Sequence, residues 1–133
     1  MADSTRGYPV TLDLSGRRVL VVGGGPVATR RALSLVEVGA RVEVVAPEAT
    51  ADLTSAAAAG RLTWRPRPYL NGDTVRPARA WLVHTATGTP ADAQVAADCE
   101  TDGVWCVRAD DAHASSAWTP AVARGVAGSP AEG

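Results

Sequence analysis

Short apolar runs alternate along this chain with longer segments that have helical spacing. Residues 17–22 (Arg-Arg-Val-Leu-Val-Val) form the first run, and such a run is typical of a strand buried on both faces. A glycine turn follows. Residues 26–38 predict a helix, because Pro26 suits a first helical turn and Gly39 stands where a helix ends. The chain therefore opens with a strand, a turn and a helix.

The same alternation continues to about residue 107. We predict further strands over 41–46, 61–65, 80–86 and 104–107, and further helices over 50–59, capped by Thr50 or Asp52, and over 90–102. Residues 66–79 contain three prolines and Asn71-Gly72, which predicts a loop.

Strands that alternate with helices indicate a parallel sheet covered on both faces. The predicted fold class is α/β: a Rossmann-like, doubly wound parallel sheet in three layers (αβα), forming a single domain. We expect this domain over residues 10–124, preceded by an N-terminal segment (1–9) and followed by a disordered tail (125–133), which is rich in glycine and proline.

Composition removes several functional classes. The net charge is −1, so the basic surplus typical of nucleic-acid binding is absent, and no apolar run approaches the roughly 20 residues of a membrane span. Without a signal-peptide pattern we expect a cytoplasmic protein. All 13 basic residues are arginine, which excludes a P-loop lysine and a Schiff-base lysine.

The glycine turn carries the most informative pattern. Gly23-x-Gly25-x-x-Ala28 fits the dinucleotide-binding fingerprint G-x-G-x-x-G/A, and it lies between a predicted strand and a predicted helix, as that fingerprint requires. Gly23 would permit the tight turn, Gly25 would let the backbone approach a pyrophosphate, and Ala28 would keep the helix close to the sheet. The free N–H groups at the helix start would bind the phosphates.

An acidic residue at the end of the second strand would bind the adenosine ribose. Glu48, just after Pro47, is the better candidate, and Glu43 inside the strand is the alternative. No arginine at the end of this strand could meet a 2′-phosphate, so the sequence favours NAD over NADP as cofactor.

Ligands of open α/β sheets bind outside the carboxyl ends of the strands. Thr87 follows the fourth predicted strand, and Asp110 and Asp111 follow the fifth. An aspartate there could remove a proton from a substrate that gives up a hydride.

No metal site is indicated. His84 lies in an apolar strand and predicts a hydrogen-bonded core residue, and His113 has no matching carboxylate pair. Cys99 and Cys106 match no zinc or redox spacing and predict small buried apolar side chains.

Several segments resemble the dehydrogenase domain of siroheme synthases, the precorrin-2 dehydrogenase family, whose members are often also sirohydrochlorin ferrochelatases. The matching stretches are residues 14–28 with Tyr8-Pro9, Gly39–Glu48, Arg67-Pro-Tyr69, Trp81-Leu82, Ala86-Thr87 and, most specifically, Val104–Pro120. The resemblance covers about residues 8–124.

The resemblance implies that NAD⁺ accepts a hydride from precorrin-2 to give sirohydrochlorin, and some members then insert Fe²⁺. It places the catalytic aspartate on Asp110 and cofactor contacts on Pro26, Val27, Pro47 and Glu48. We add Gly23, Gly24, Gly25 and Thr87 as cofactor contacts, and Arg108 and Ser116, with Arg124 as a further candidate, as substrate contacts.

Two functional hypotheses remain open. The chain is an NAD-dependent precorrin-2 dehydrogenase, with ferrochelatase activity undecided. Alternatively, it is a dinucleotide-binding module that is inactive or needs a partner chain, because family members continue beyond Pro120 into a dimerisation region and a helical domain. We expect a tetrapyrrole as substrate and no resident metal. The family is homodimeric, but its dimerisation region is not expected within this chain.

Overall fold

The computed structural model describes residues 6–110, and its centre is a five-stranded parallel sheet. The strands are β1 (Arg18–Val22), β2 (Arg41–Val45), β3 (Thr63–Arg65), β4 (Leu82–Thr85) and β5 (Trp105–Arg108), in the order β3-β2-β1-β4-β5. Every neighbouring pair is parallel. In such a sheet the chain first adds strands on one side of β1 and then crosses to the other side, beginning with β4. This order is the Rossmann-like one, so the predicted fold class is confirmed.

Three helices cover the two faces of the sheet. Helices α1 (Pro26–Glu37) and α2 (Ala51–Ala58) pack on one face, and α3 (Ala91–Asp102) packs on the other. The predicted three layers are therefore confirmed. Strand β1 lies in the middle of the sheet, and its residues Val19–Val22 are at most 1% exposed, which explains why this run is apolar without alternation.

Residues at or next to the helix ends account for where α1 and α2 begin and where α1 ends. Pro26 is the first residue of α1, and Gly39, with φ of +87°, donates its N–H to the Val36 carbonyl as a helix stop. Thr50 caps α2 by accepting the Leu53 N–H, which decides between Thr50 and Asp52. The predicted strand over 61–65 begins only at Thr63, and the last strand is Trp105–Arg108 rather than 104–107.

Residues 66–79 form no helix or strand, as predicted, but they are tied to the sheet by Arg18. This guanidinium is buried and donates to the carbonyl oxygens of Asp73, Arg76 and Ala78 at 2.9, 3.0 and 2.6 Å. One buried cation therefore holds much of the loop against the sheet.

Candidate functional site

A groove of about 930 Å³ opens at the carboxyl ends of β1, β2 and β4. Its position is the switch point of the strand order, where open α/β sheets bind their ligands. The predicted base, Asp110, lines this groove, and so do all eight residues predicted to contact the cofactor: Gly23, Gly24, Gly25, Pro26, Val27, Pro47, Glu48 and Thr87.

The turn between β1 and α1 forms the floor of the groove. Gly23 has φ of +128°, and a Cβ there would lie 2.7 Å from the Ala86 carbonyl oxygen, so only glycine fits. Gly25 is the N-cap of α1, so no side-chain hydrogen bond caps this helix start. A Cβ at Gly25 would meet no atom within 4 Å, so the space above this residue is open to a ligand.

Gly24, the variable position of the fingerprint, has the tightest packing. A Cβ on Gly24 would lie only 1.9 Å from the carbonyl oxygen of Glu48. The Gly24 carbonyl also accepts the Thr50 N–H at 3.0 Å. The glycine turn and the segment Pro47–Thr50 are therefore packed backbone to backbone, which places Glu48 beside the turn.

Two threonines join the starts of α1 and α2. The Thr29 hydroxyl donates to the Gly25 carbonyl at 2.8 Å, and the hydroxyls of Thr29 and Thr50 are 2.7 Å apart. Because the Thr29 proton is already used, Thr50 is the donor of the second bond. These bonds fix the helix start from which N–H groups would bind phosphate.

The donors at this helix start test whether a dinucleotide fits. Within residues 6–110, no backbone acceptor pairs with the N–H groups of Gly25, Val27 and Ala28. Unpaired N–H groups at a helix N-terminus attract anions, and the missing Cβ at Gly25 lets a pyrophosphate approach them. The residues present therefore fit a dinucleotide.

The β4–α3 side of the groove is organised by Asp92, a residue that was not predicted from the sequence. Asp92 is fully buried. Its Oδ1 accepts the Thr85 hydroxyl at 2.6 Å and both the N–H (3.0 Å) and the hydroxyl (2.8 Å) of Thr87, while Oδ2 accepts the Gly88 N–H at 3.0 Å. Thr87, predicted to contact the cofactor, thus directs both of its donors to Asp92.

A signal for Asp92 exists in the sequence. An aspartate in the first turn of a predicted helix, a few residues after Thr87, is a common anchor for the preceding loop. This signal is weak in the sequence, because the carboxylate accepts from groups of the preceding strand and loop and not only from the start of its own helix.

Asp110 lies at the groove just after β5, and its side chain is 45% exposed. Arg108 holds it in a fork, with Nε to Oδ1 at 3.0 Å and Nη2 to Oδ2 at 3.1 Å. The hydrogen bonds and charge of Arg108 keep the pKa of Asp110 below its usual value, so this carboxyl is ionised at neutral pH. The residue predicted as base and a residue predicted to bind substrate are in direct contact.

Other candidates lie elsewhere. Glu43 pairs with Arg18 on the face of the sheet covered by residues 66–79, so it does not reach the groove and Glu48 is the acid that does. His84 is buried as predicted, but within residues 6–110 its ring makes no hydrogen bond, and burial, aided by Arg31, lowers its pKa to about 4. Cys99 and Cys106 are buried, as predicted, and their thiols are not joined in a disulfide. Ser116, Asp111, His113 and Arg124 lie outside the described residues.

The order of the strands, the glycine turn and the groove together define an NAD(P)-binding Rossmann domain. Comparison with known proteins agrees: residues 10–121 match a family described as "Putative NAD(P)-binding", and the chain belongs to this family. The predicted cofactor, NAD, is supported by this membership.

Individual relatives show which NAD(P)-binding proteins the chain is similar to. The chain is 38% identical over 119 residues to a siroheme synthase of Chromobacterium violaceum, covering 86% of this chain and 24% of the relative. It is 51% identical over 55 residues to a precorrin-2 dehydrogenase of Priestia megaterium, covering 41% of this chain and 27% of the relative. The chain thus spans about a quarter of the length of these relatives.

A solved structure is also similar. The precorrin-2 dehydrogenase SirC is 38% identical, with a TM-score of 0.58 over 64% of this chain and 41% of SirC. The resemblance to siroheme biosynthesis enzymes inferred from the sequence is confirmed by these relatives. No helix within residues 6–110 is long and apolar enough to cross a membrane.

Proposed function

We propose that this chain carries the NAD-dependent dehydrogenase step from precorrin-2 to sirohydrochlorin. The observation that supports this most strongly is the presence of the glycine turn and Asp110 on one groove, in a chain similar to precorrin-2 dehydrogenases. The pyrophosphate would bind at the start of α1, with Pro26 and Val27 beside it. Pro47 and Glu48 would face the ribose. When bound, NAD⁺ supplies the hydride acceptor.

The lining of the groove favours NAD over NADP. Among the described residues that line it, none is arginine, and Glu48 is the acid placed beside the glycine turn. A ribose hydroxyl can donate to a carboxylate, whereas a 2′-phosphate next to Glu48 would be repelled and would find no guanidinium.

Asp110 is the proposed base. Oxidation of precorrin-2 removes a hydride and a proton, and an ionised carboxylate can accept that proton. Arg108 keeps Asp110 ionised, and Arg108 and Ser116 are the proposed contacts for the carboxylates of the substrate. Asp92 is a positioning residue in this scheme, because it holds the Thr87–Gly88 loop at the edge of the groove.

Three further expectations accompany this proposal. Fe²⁺ would be a second substrate if the chain also chelates iron, with Asp110 accepting pyrrole protons. A homodimer, as in the family, or a partner chain would complete the substrate cleft. The setting would be cytoplasmic.

The test is anaerobic turnover of precorrin-2 with NAD⁺, followed by NADH absorbance, in the wild type, Asp110→Asn and Asp111→Asn. A general base typically contributes about 10²–10⁴-fold in rate, so Asp110→Asn should reduce kcat by that order. Asp52→Asn, an exposed carboxylate on α2, is the matched charge control.

Turnover that survives in Asp110→Asn but not in Asp111→Asn would place the base on the neighbouring residue. If the wild type binds NAD⁺ yet makes no NADH at any concentration, the dehydrogenase proposal for the chain alone is wrong. The alternative, a dinucleotide-binding module that is inactive or needs a partner chain, would then hold.

A further inference from the structure

A second cavity, of about 400 Å³, lies on the face of β2 and β3 that residues 66–79 cover. Apart from Val45, it shares no lining residue with the nucleotide groove. Charged side chains dominate its wall. We call it the arginine cavity, and its charged residues are Arg18, Glu43, Arg65, Arg67, Asp73 and Arg76.

Both carboxylates of the arginine cavity are engaged by arginines. Arg18 holds Glu43 in a fork, with nitrogen–oxygen distances of 3.1 and 2.9 Å. Arg67 holds Asp73 in a second fork, with both distances at 2.9 Å. Burial alone would raise the pKa of each carboxyl, but the partner arginines lower it below its usual value. Both acids are therefore ionised at neutral pH, and each is neutralised by its own arginine.

Arg65 and Arg76 are left in excess. Arg65 reaches Glu43 only at 3.5 Å through Nε, and its side chain is 39% exposed. Within the described residues no acceptor pairs with the Arg76 guanidinium, which lies over Gly72. A Cβ on Gly72 would be 2.6 Å from Arg76 Nη2, so the glycine gives this guanidinium its place on the cavity wall.

We propose that the arginine cavity binds a small oxyanion with two negative charges between Arg65 and Arg76. Four arginines against two carboxylates leave two positive charges, which a dianion would neutralise. Guanidinium groups pair bidentately with both phosphate and carboxylate oxygens. The cavity is within the size range of small-molecule sites, roughly 300–1,000 Å³.

Two sources share this chemistry. One is a phosphate group, and the other is a pair of neighbouring carboxylates on an organic acid. The paired arginines contribute differently from the two in excess. Arg18 and Arg67 fix the cavity wall and raise its potential. Arg65 uses only its Nε on Glu43, so its terminal N–H groups and those of Arg76 are the donors left for a ligand among the described residues. The dehydrogenase step proposed above uses none of these residues.

The experiment is calorimetric titration of the whole chain at low ionic strength, with inorganic phosphate and, separately, with succinate. Saturating NAD⁺ in the cell blocks the phosphate-binding start of α1. Losing both charge-assisted contacts should weaken binding by about tenfold or more in the double variant Arg65→Gln/Arg76→Gln. The matched control is Arg30→Gln/Arg61→Gln, which removes the same charge from exposed positions outside the cavity.

Tighter binding of phosphate would identify a phosphate group as the ligand chemistry, and tighter binding of succinate would identify paired carboxylates. If neither anion binds the wild type, or if the cavity variant binds like the control, the proposal is overturned. Thermal melting checks that both variants fold, and Arg76→Gln alone serves if the double variant does not. A wild-type chain that binds the anion but does not bind NAD⁺ would instead count against the proposed function.

Discussion

Gly24→Ala should destabilise the domain, although Gly24 is not one of the fixed positions of the fingerprint. The new Cβ would lie 1.9 Å from the Glu48 carbonyl oxygen, and real contacts are almost never below 3.0 Å, so the two backbones must separate by at least 1.1 Å. Overpacking of this kind costs roughly 1–3 kcal/mol, and strain on the Thr50–Gly24 hydrogen bond adds about 1 kcal/mol. We expect the free energy of unfolding to fall by about 2–4 kcal/mol.

Gly25→Ala is the matched control, because the same methyl group is added one residue later in open space. Gly25 has φ of −87°, so alanine is not strained there. We expect a loss of stability of at most about 1 kcal/mol, since Gly25 is an N-cap without a side-chain bond. The added methyl group would nevertheless project toward the bound pyrophosphate, and NAD⁺ affinity should fall by about tenfold or more as contacts to the phosphates lengthen.

The assay pairs urea denaturation of both variants with calorimetric titration of NAD⁺. The expected result separates the two glycines: Gly24→Ala loses stability, and Gly25→Ala loses affinity while remaining folded. Equal stability of Gly24→Ala and the wild type would refute the argument from backbone contact. Unchanged NAD⁺ affinity in Gly25→Ala would refute the placement of the pyrophosphate over this turn.

Three other predictions concern buried or paired charges. Asp92→Asn should lower the free energy of unfolding, measured by urea denaturation, by about 1–3 kcal/mol. The two oxygens of Asp92 accept hydrogen bonds from the backbone N–H groups of Thr87 and Gly88, and an asparagine would have to turn its NH₂ group toward one of these donors. The folded-state pKa of His84 is lowered to about 4 from 6.5, so the free energy of unfolding should fall by about 3 kcal/mol as pH drops from 7 to 4. His84→Leu should remove this part of the pH dependence of stability, and an unchanged pH dependence in the variant would contradict the assignment to His84. Arg108→Gln should move the acidic limb of kcat/KM to higher pH, because the guanidinium that lowers the pKa of Asp110 is gone; a limb that stays in place would exclude Asp110 as the titrating base.

The order of elements was predictable from the sequence because its signals are local. The uninterrupted apolar run at residues 19–22 can only be buried on both faces, and Pro26 and Gly39 mark the ends of α1 by rules that involve neighbouring residues. Strand β3 was predicted two residues too long, because its alternation continues into the turn after α2. Edges of this kind depend on pairing with β2, which the sequence does not reveal.

The contacts that shape the groove were harder to predict because their partners are distant or belong to the backbone. Gly24 packs against the backbone carbonyl of Glu48, and because every residue has such a carbonyl, the identity of residue 48 does not indicate this contact. Arg18 was assigned to an apolar strand, yet its guanidinium lies 2.6 Å from a carbonyl 60 residues away. A loop without regular structure needs donors for its carbonyl groups, and a buried arginine at the start of a central strand supplies several of them.

The fork between Arg108 and Asp110 joins two roles that the sequence treats separately. On the proposed mechanism, Asp110 must be ionised before the substrate arrives, and the fork extends its ionised range to lower pH by lowering its pKa. The same fork makes Asp110 a weaker base, since basicity falls with pKa. The proposed substrate, which is rich in carboxylates, would resolve the conflict, because it would compete for the Arg108 guanidinium and so return Asp110 toward its usual pKa. Base strength would then rise when the substrate binds, which is when proton removal is required.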